Sequence, residues 1–528
     1  MPLSTASTLP LADCQYRQRL VVSAAEMQAI ESRVFDAGMP VAALMEKVAG
    51  QIAERIVTQY PQPCAILVVA GPGHNGGDAL VVARELHHRG YSFCVCSPFA
   101  GKLSGQKTLT GQHARYAKSV GIPFIALEDV ASQSPAVVID GLFGFGLSRP
   151  IEGDLAQLVG DINALDAPVI SIDLPSGIHT DSGSPLGEAI YASHTLCLGL
   201  WKRACLQEQA LAYLGDVSLV DFDIPVAAIE AVLGQPQLVR ITPDAVAAAL
   251  PLQRSPTTYK YREGHLLLVC GSESYLGAAL LAGLAARASG VGMLTIAVPQ
   301  ALKPLLAMQI PDAITVGCPT EAGAIAAFPD GFDLSAYSAI ACGPGLTQRN
   351  KIVPAVVAAP VPLLLDADGL NQLAKMDVAT TLSQRNTYTV LTPHAGEFKR
   401  LFPDLGGEQM DPIARAQQAA QRSRSTIVLK GACTVISAPN GNTWLNPHST
   451  PALARGGSGD VLTGLVGGLM AQLTARGNPI ENAPWSGAWW HAQAALALAQ
   501  DRGVLGVDAH QLAMQLVPQL ALFLRGQR

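Results

Sequence analysis

Charge is scarce in this chain: Asp, Glu, Lys and Arg together make up 14% of 528 residues, and aromatic residues only 5%. A basic excess is missing too, since 35 Lys and Arg stand against 41 Asp and Glu, a net charge of −6. Nucleic-acid backbones need a basic face, so nucleic acid is excluded as a general partner and any anionic ligand must be held by local devices. The most apolar run, VLTGLVGGLMAQL from Val461 to Leu473, is too short and too rich in glycine to span a bilayer. The N-terminal MPLSTASTLPLADCQYRQRL lacks the basic stretch and apolar core of a secretory signal. Of ten cysteines only Cys94 and Cys96 are close neighbours. No second Cys/His pair stands at zinc-ligand spacing, so both read as thiols on a strand. These absences point to a soluble, cytoplasmic protein with no membrane partner.

What is present is apolar residue at 49%, with 50 Gly and 36 Pro. That is ample for buried cores joined by many tight turns. Ser23 with Glu26 three residues on has the form of a capping box, and Met27, Ile30 and Val34 follow at helical spacing. Leu44, Val48, Ile52 and Ile56 repeat that spacing. Short β-branched runs then alternate with helical stretches: 65–70, 93–97, 123–127, 136–140, 169–173, 194–199 and 217–225. Such a rhythm predicts a parallel sheet covered on both faces. The segment from Val226 to about Arg254 reads as a helix plus linker. Strand runs restart at 265–271, 293–298, 313–317, 339–345, 362–368, 388–394, 426–431, 434–439 and 442–446, the last two forming a hairpin about Asn440-Gly441. The expected fold class is α/β in two domains, residues 1–235 and 236–528.

Ligands of open α/β sheets sit at the carboxyl ends of the strands. The first run leads into GPGHNGGDAL, where Gly71, Gly73 and Gly76 form G-x-G-x-x-G ahead of a helix expected over 79–89. A dinucleotide dehydrogenase would place an acidic residue at the end of the next strand; Cys96-Ser97-Pro98 has none. Asp78 can act in the site or cap the following helix. Asp140 precedes a second glycine loop, GLFGFGLSRP, and Asp173 precedes Leu174-Pro175-Ser176-Gly177. Asn75, Asp140, Asp173 and Ser176 thus stand at three strand ends. Oxygen donors without His or Cys suit a group IA or IIA cation, and a carboxylate there can move a proton.

Together LMEKVAG (44–50), VVAGPGHNGGDALVVAREL, VVIDGLFGFGLSRPIEG and IDLPSGI resemble the NAD(P)H-hydrate epimerase domain over about residues 15–230. The resemblance implies a Rossmann-like doubly wound sheet. It implies that His74, Asn75, Gly76, Gly77 and Asp78, with Gly144, Phe145, Gly146, Leu147, Ser148, Arg149 and Pro150, contact the hydrated nucleotide. Asn75, Asp140 and Ser176 would ligate K⁺. Asp173 would bind substrate and is the candidate acid/base. Two positions depart from the family's usual residues, His74 in place of Asn and Ala79 in place of Gly.

In the second half, ARGGSGDVLTGLVGGLMAQ (454–472) puts Gly456, Gly457 and Gly459 before a helix expected to begin near Asp460. Main-chain N–H groups and a helix terminus converge there on one point, a hole suited to a transferring phosphoryl group. Asp460 can take the proton of the attacking hydroxyl. The chain has no G-x-x-x-x-G-K-[ST], which excludes a P-loop NTPase. Asp366, Asp368, His394 and Glu397 close other strands, and Lys430 lies in a turn where it could meet phosphate. His394 is equally open to a structural role.

These motifs resemble the ribokinase-like fold and, more closely, the ADP/ATP-dependent NAD(P)H-hydrate dehydratases over about 241–522. The resemblance implies hydrate contacts at Ala278, Gly345, His394 and Asp460. It implies adenine-nucleotide contacts at Lys430, Gly431, Ala432, Cys433, Thr434 and Gly459, with Asp460 as catalytic base, Mg²⁺ as cofactor and ADP as co-substrate. Ser458 replaces the usual Thr and Ala395 the usual Pro. The pair of domains implies repair of hydrated NADH or NADPH by a homo-oligomer. A small-alcohol kinase in the second half, or a non-catalytic nucleotide-binding module in the first, would leave the same strand pattern.

Overall fold

The computed structural model describes residues 9–99, 108–407 and 411–526. The chain divides into two compact units between Leu238 and Val239. The first carries a seven-stranded, all-parallel sheet. In spatial order its strands are Phe124–Ile125, Ser92–Cys96, Ala65–Ala70, Val137–Gly141, Val169–Ile172, His194–Leu198 and Asp216–Val220. Strand Ala65–Ala70 shows why helices cover both faces: Ile66 and Val68 enter one apolar cluster, Leu67 and Val69 the other. From this strand the chain winds outward to one side, returns through Val137–Gly141, and winds outward to the other. The switch point therefore lies between Ala65–Ala70 and Val137–Gly141, where two glycine loops leave adjacent strand ends.

Two features depart from the sequence expectation. The helix expected over 79–89 spans His74–His87, with Gly73 at its N-cap. Asn75, Gly76, Gly77 and Asp78 are therefore its opening turn, and Asp78 is not a cap. A parallel pair, Val21–Val22 with Trp201–Lys202, also went unforeseen. Two residues per strand carry no periodicity to read.

The second unit is built on a ten-stranded sheet. Its order is Leu238–Arg240, Thr443–Asn446, Thr434–Ser437, Thr426–Leu429, Thr389–Leu391, Leu363–Leu365, Ala339–Cys342, His265–Val269, Met293–Pro299 and Ile314–Cys318. The seven strands from Thr426–Leu429 to Ile314–Cys318 run parallel, and the hairpin through Gly441 adds antiparallel strands. The stretch expected to be a linker supplies the edge strand Leu238–Arg240 between helices Val226–Leu233 and Pro243–Ala249. The apolar run at 461–473 lies inside helix Ser458–Arg476, and every residue of that run is buried. A Cβ at Gly464 would fall 1.9 Å from the Ala282 carbonyl oxygen, so glycine lets the helix pack against Leu276–Ala288 at backbone contact. Among the described residues no helix is long and apolar enough to cross a membrane.

Candidate active sites

In the first unit the strand ends meet as the switch point requires. Asp140 is 1% exposed, and four donors reach its carboxylate. Oδ1 accepts from Leu142 N–H at 3.1 Å and Ser176 Oγ at 2.6 Å; Oδ2 accepts from Ser171 Oγ at 2.8 Å and Ser176 N–H at 2.9 Å. Burial raises the Asp140 pKa, against the opposing pull of these hydrogen bonds. Asp140 thus ties the second glycine loop to the Ser176 turn. Ser176 Oγ also accepts from Phe143 N–H at 2.8 Å.

Asp173 has a positive φ of 69°, a strained setting for a side chain that must be aimed. Its Oδ2 accepts from Phe145 N–H at 2.9 Å and its Oδ1 from Leu198 N–H at 3.3 Å. The Lys202 ammonium stands 2.6 Å from Oδ1, with the two side chains 0% and 4% exposed. Burial opposes the Lys202 charge, but Asp173, Cys197 and Glu31 together outweigh it and the ammonium's pKa is raised.

Asp173 and Lys202 line a cavity of about 420 Å³; Asp140 and Ser176 lie outside its lining. Of the expected substrate contacts, His74, Asn75, Asp78, Gly144, Phe145, Gly146, Leu147, Ser148, Arg149 and Asp173 face it. Gly76, Gly77 and Pro150 do not. A Cβ on Gly76 would sit 2.0 Å from the Gly71 carbonyl oxygen, and one on Gly77 2.6 Å from Met45 Cε. Both glycines therefore serve packing beneath the site. Ala79, where the family usually has glycine, rests its methyl against Gly141, which has no Cβ to oppose it.

The residues expected to ligate K⁺, Asn75, Asp140 and Ser176, would offer oxygen donors and one charge between them, and the Phe143 carbonyl lies 3.2 Å from Ser176 Oγ. Asn75 Nδ2 is buried without a partner. Such a set fits a weakly charged hard cation better than a transition metal. Glu31 and Lys202 also line the cavity, and sequence reasoning missed both. Their signal is weak: Glu31 lies on helix Ala24–Asp36, before the strand rhythm begins, and Lys202 follows strand His194–Leu198 by four residues.

In the second unit helix Ser458–Arg476 begins two residues before Asp460, after Gly457 at φ 94°. The Ser458 N–H reaches the Arg455 carbonyl at 3.4 Å, and the N–H groups of Gly459 and Asp460 precede the first intrahelical bond, from Val461 N–H to the Gly457 carbonyl at 3.1 Å. Gly459 lies over a polar knot: a Cβ there would be 3.6 Å from Lys430 Nζ and 3.7 Å from Asp366 Oδ2. Asp366 Oδ1 takes Lys430 Nζ at 2.8 Å, and Oδ2 takes Thr463 Oγ1 at 2.7 Å. Lys430 is therefore held by Asp366, beside the glycine loop where phosphate would lie. Burial pushes the Asp460 carboxyl up to about 7; the Asp366 charge adds to this, Lys430 opposes it, and Asp368 adds again. That is a base of useful strength at neutral pH. Beneath the helix start, buried His491 meets the Ser458 carbonyl at 3.0 Å. Burial pushes its pKa down to about 4, so the imidazole is neutral. It too was missed.

Ala278 and Gly345 lie side by side: a Cβ on Gly345, whose φ is 64°, would be 2.8 Å from the Ala278 methyl. His394 has a structural role that leaves the expected hydrate contact open. It caps helix Ala395–Leu401, its Nδ1 accepting from Gly396 N–H at 3.0 Å while Glu397 returns a bond to the His394 N–H at 2.9 Å. Gly431, Ala432 and Cys433 form the turn between strands Thr426–Leu429 and Thr434–Ser437, across which Thr434 Oγ1 donates to the Gly431 carbonyl at 3.1 Å. The turn meets the His394 loop through a bridge between His394 and Lys430.

Residues 41–204 match the family described as the YjeF-related protein N-terminus, and residues 266–518 match the NAD(P)H-hydrate dehydratase family. The bifunctional NAD(P)H-hydrate repair enzyme of Thermosynechococcus vestitus is 50% identical over 95% of this chain and 97% of its own length. The chain belongs to that family of bifunctional enzymes. The family's Synechocystis member is 51% identical over 95% of this chain and 94% of its own. Among solved structures, the Bacillus subtilis ADP/ATP-dependent NAD(P)H-hydrate dehydratase, co-crystallised with ATP and Mg²⁺, is 32% identical. It covers 53% of this chain and 97% of its own, with a TM-score of 0.45.

Proposed function

We propose that the first unit interconverts the R and S hydrates of NADH and NADPH, and that the second unit restores the S hydrate to NAD(P)H at the expense of ADP. The observation that carries this reading is Asp460, a carboxyl pushed up to about 7 in the opening turn of a helix that starts over Lys430 and Asp366. In the second unit Asp460 takes the proton of the ring hydroxyl, and that oxygen attacks the terminal phosphorus of ADP. The P–O bond to AMP breaks as the new one forms. The N–H groups of Gly459 and Asp460 stabilise the charge on the migrating group. Phosphate then departs with the C–O electron pair, the neighbouring C–H proton is lost, and the ring double bond returns. Phosphorylation is needed because hydroxide is a poor leaving group.

Asp366 sets Lys430 at the site, and Ala278 and Gly345 leave space for the hydrate. Mg²⁺ would arrive on the nucleotide's phosphates, where this ion keeps most of its ligands, and would neutralise their charge. In the first unit Asn75, Asp140 and Ser176 would hold K⁺, whose charge would help to seat the substrate's phosphates at the glycine loops. Ten cysteines without a disulfide suit a reducing compartment, the cytoplasm. Incubation of a mixed R and S hydrate with ADP tests both halves. Complete return of NAD(P)H is expected; a plateau at the S fraction defeats the epimerase assignment, and a stable phosphorylated product defeats the dehydratase.

A further inference from the structure

The cavity of the first unit contains charged groups that its glycine loops do not account for. Glu31 and Lys202 line it beside Asp78 and Asp173. The N-terminal segment places two of the four. Val22 pairs with Lys202 in the short parallel ladder, and Ser23 then caps helix Ala24–Asp36, which carries Glu31. The Ala24 N–H donates to Asp181 Oδ1 at 2.8 Å, which anchors the start of that helix to the loop after the Asp173 strand. Glu31 is thus brought to the cavity by a fixed element.

The chemistry asks for such a group. The ring double bond conjugated to nitrogen is an enamine, so water adds with its proton on the far carbon and its hydroxyl on the carbon next to nitrogen. The hydrate is a hemiaminal. The nitrogen lone pair can expel the hydroxyl and leave a planar iminium, which water re-enters from either face. The departing oxygen needs a proton and the returning water must lose one. The acid/base group therefore has to change charge near working pH.

Of the three carboxyl groups only one suits. Asp173 faces an ammonium and two N–H donors, all of which need it as a carboxylate acceptor. Burial, then the charges of Asp173 and Glu31, drive the Asp78 pKa well up. Raised in this way, Asp78 favours its protonated form, which can donate a hydrogen bond to substrate. Burial pushes Glu31 up to about 7, with Lys202 opposing and Asp173 adding.

We propose that Glu31 is the proton-transferring residue of the epimerisation, and that Asp173, paired with Lys202, supplies the fixed negative charge facing the iminium. This rests on reading the first unit as the epimerase. As the C–O bond breaks, the Glu31 proton goes to the leaving oxygen, giving water and a carboxylate. When water adds to the opposite face, its proton returns to Glu31, so nothing is consumed.

The test uses the full-length chain without ADP, an R-enriched hydrate, and rates taken above the spontaneous reaction. For wild type kcat/KM should fall as pH rises through about 7, since the protonated form reacts. Glu31→Gln should lower kcat about 100-fold or more and remove that pH limb, with KM changed by less than about threefold. Glu31→Asp should recover part of the rate together with the limb. Glu31→Gln with wild-type rate and pH profile overturns the proposal. So does loss of hydrate binding in both variants, which marks a structural role. Wild type that does not accelerate epimerisation at all sinks the epimerase reading beneath it, a different result from either. Dehydration of the S hydrate with ADP, assayed on the same samples, reports the integrity of the second unit.

Discussion

Asp460 and Asp173 are both carboxylates that the proposed function places at its reacting sites, and their surroundings suit them to different tasks. Asp460 sits near two other carboxylates, Asp366 and Asp368, and burial adds to their effect. As a base it must be deprotonated, so dehydratase kcat/KM should decline as pH drops below about 7, by about tenfold per unit once well below. Asp460→Asn should abolish ADP-dependent loss of hydrate, by about a thousandfold or more, while epimerisation continues. Dehydration surviving in that variant would remove Asp460 from the mechanism. Asp173 instead shares a buried ion pair with Lys202. Lys202→Ala leaves that carboxylate uncompensated in the interior, and denaturant titration should show a loss of about 3–5 kcal/mol. Legibility differs at this scale. Asp140, Asp173 and Asp460 announce themselves by ending strands or following glycines. Glu31, Lys202 and His491 carry no such mark, because each reaches its site through a tertiary contact.

Elements show the same division. The glycine loops were readable because glycine at a strand end has few other reasons to recur. What the spacing did not reveal is where helix begins. His74–His87 starts at the glycines and not after them, since a Cβ-free turn lets the first helical residues pass directly under the Gly71 carbonyl. Ser458–Arg476 starts two residues before Asp460, after Gly457 in a left-handed conformation. A Cβ at Gly457 would meet Leu281 Cδ1 at 2.6 Å and the Ala509 methyl at 2.8 Å. Gly457→Ala therefore adds a steric clash to a backbone strain of about 1–2 kcal/mol. It should lower the melting temperature and cut dehydration while leaving epimerisation unchanged; dehydration at the wild-type rate would show that the helix start tolerates displacement.

On the scale of the whole molecule, two α/β units share a chain but no sheet. Every strand from Ala65 to Val220 that joins the seven-stranded sheet stays within the first unit, and the ten-stranded sheet starts at Leu238. The proposed function gives each unit its own reacting carboxylate. Their activities should therefore be separable. A mixture of Asp173→Asn chains and Asp460→Asn chains should convert a mixed hydrate completely in the presence of ADP, each variant supplying what the other lacks. Product stalling at the S fraction would mean that hydrate does not pass between chains through solution.

The amino-acid sequence by itself determined two parallel-sheet units, the glycine loops at their strand ends and the oxygen-rich residues beside them. These depend on local periodicity and on backbone freedom, which neighbouring residues in the chain dictate. The tertiary structure alone decided which charges face each other. Lys202 meets Asp173, Lys430 meets Asp366, and Glu31 enters the cavity because strands and helices distant in sequence pack together. Burial then sets the charge each group carries, and no linear spacing records burial.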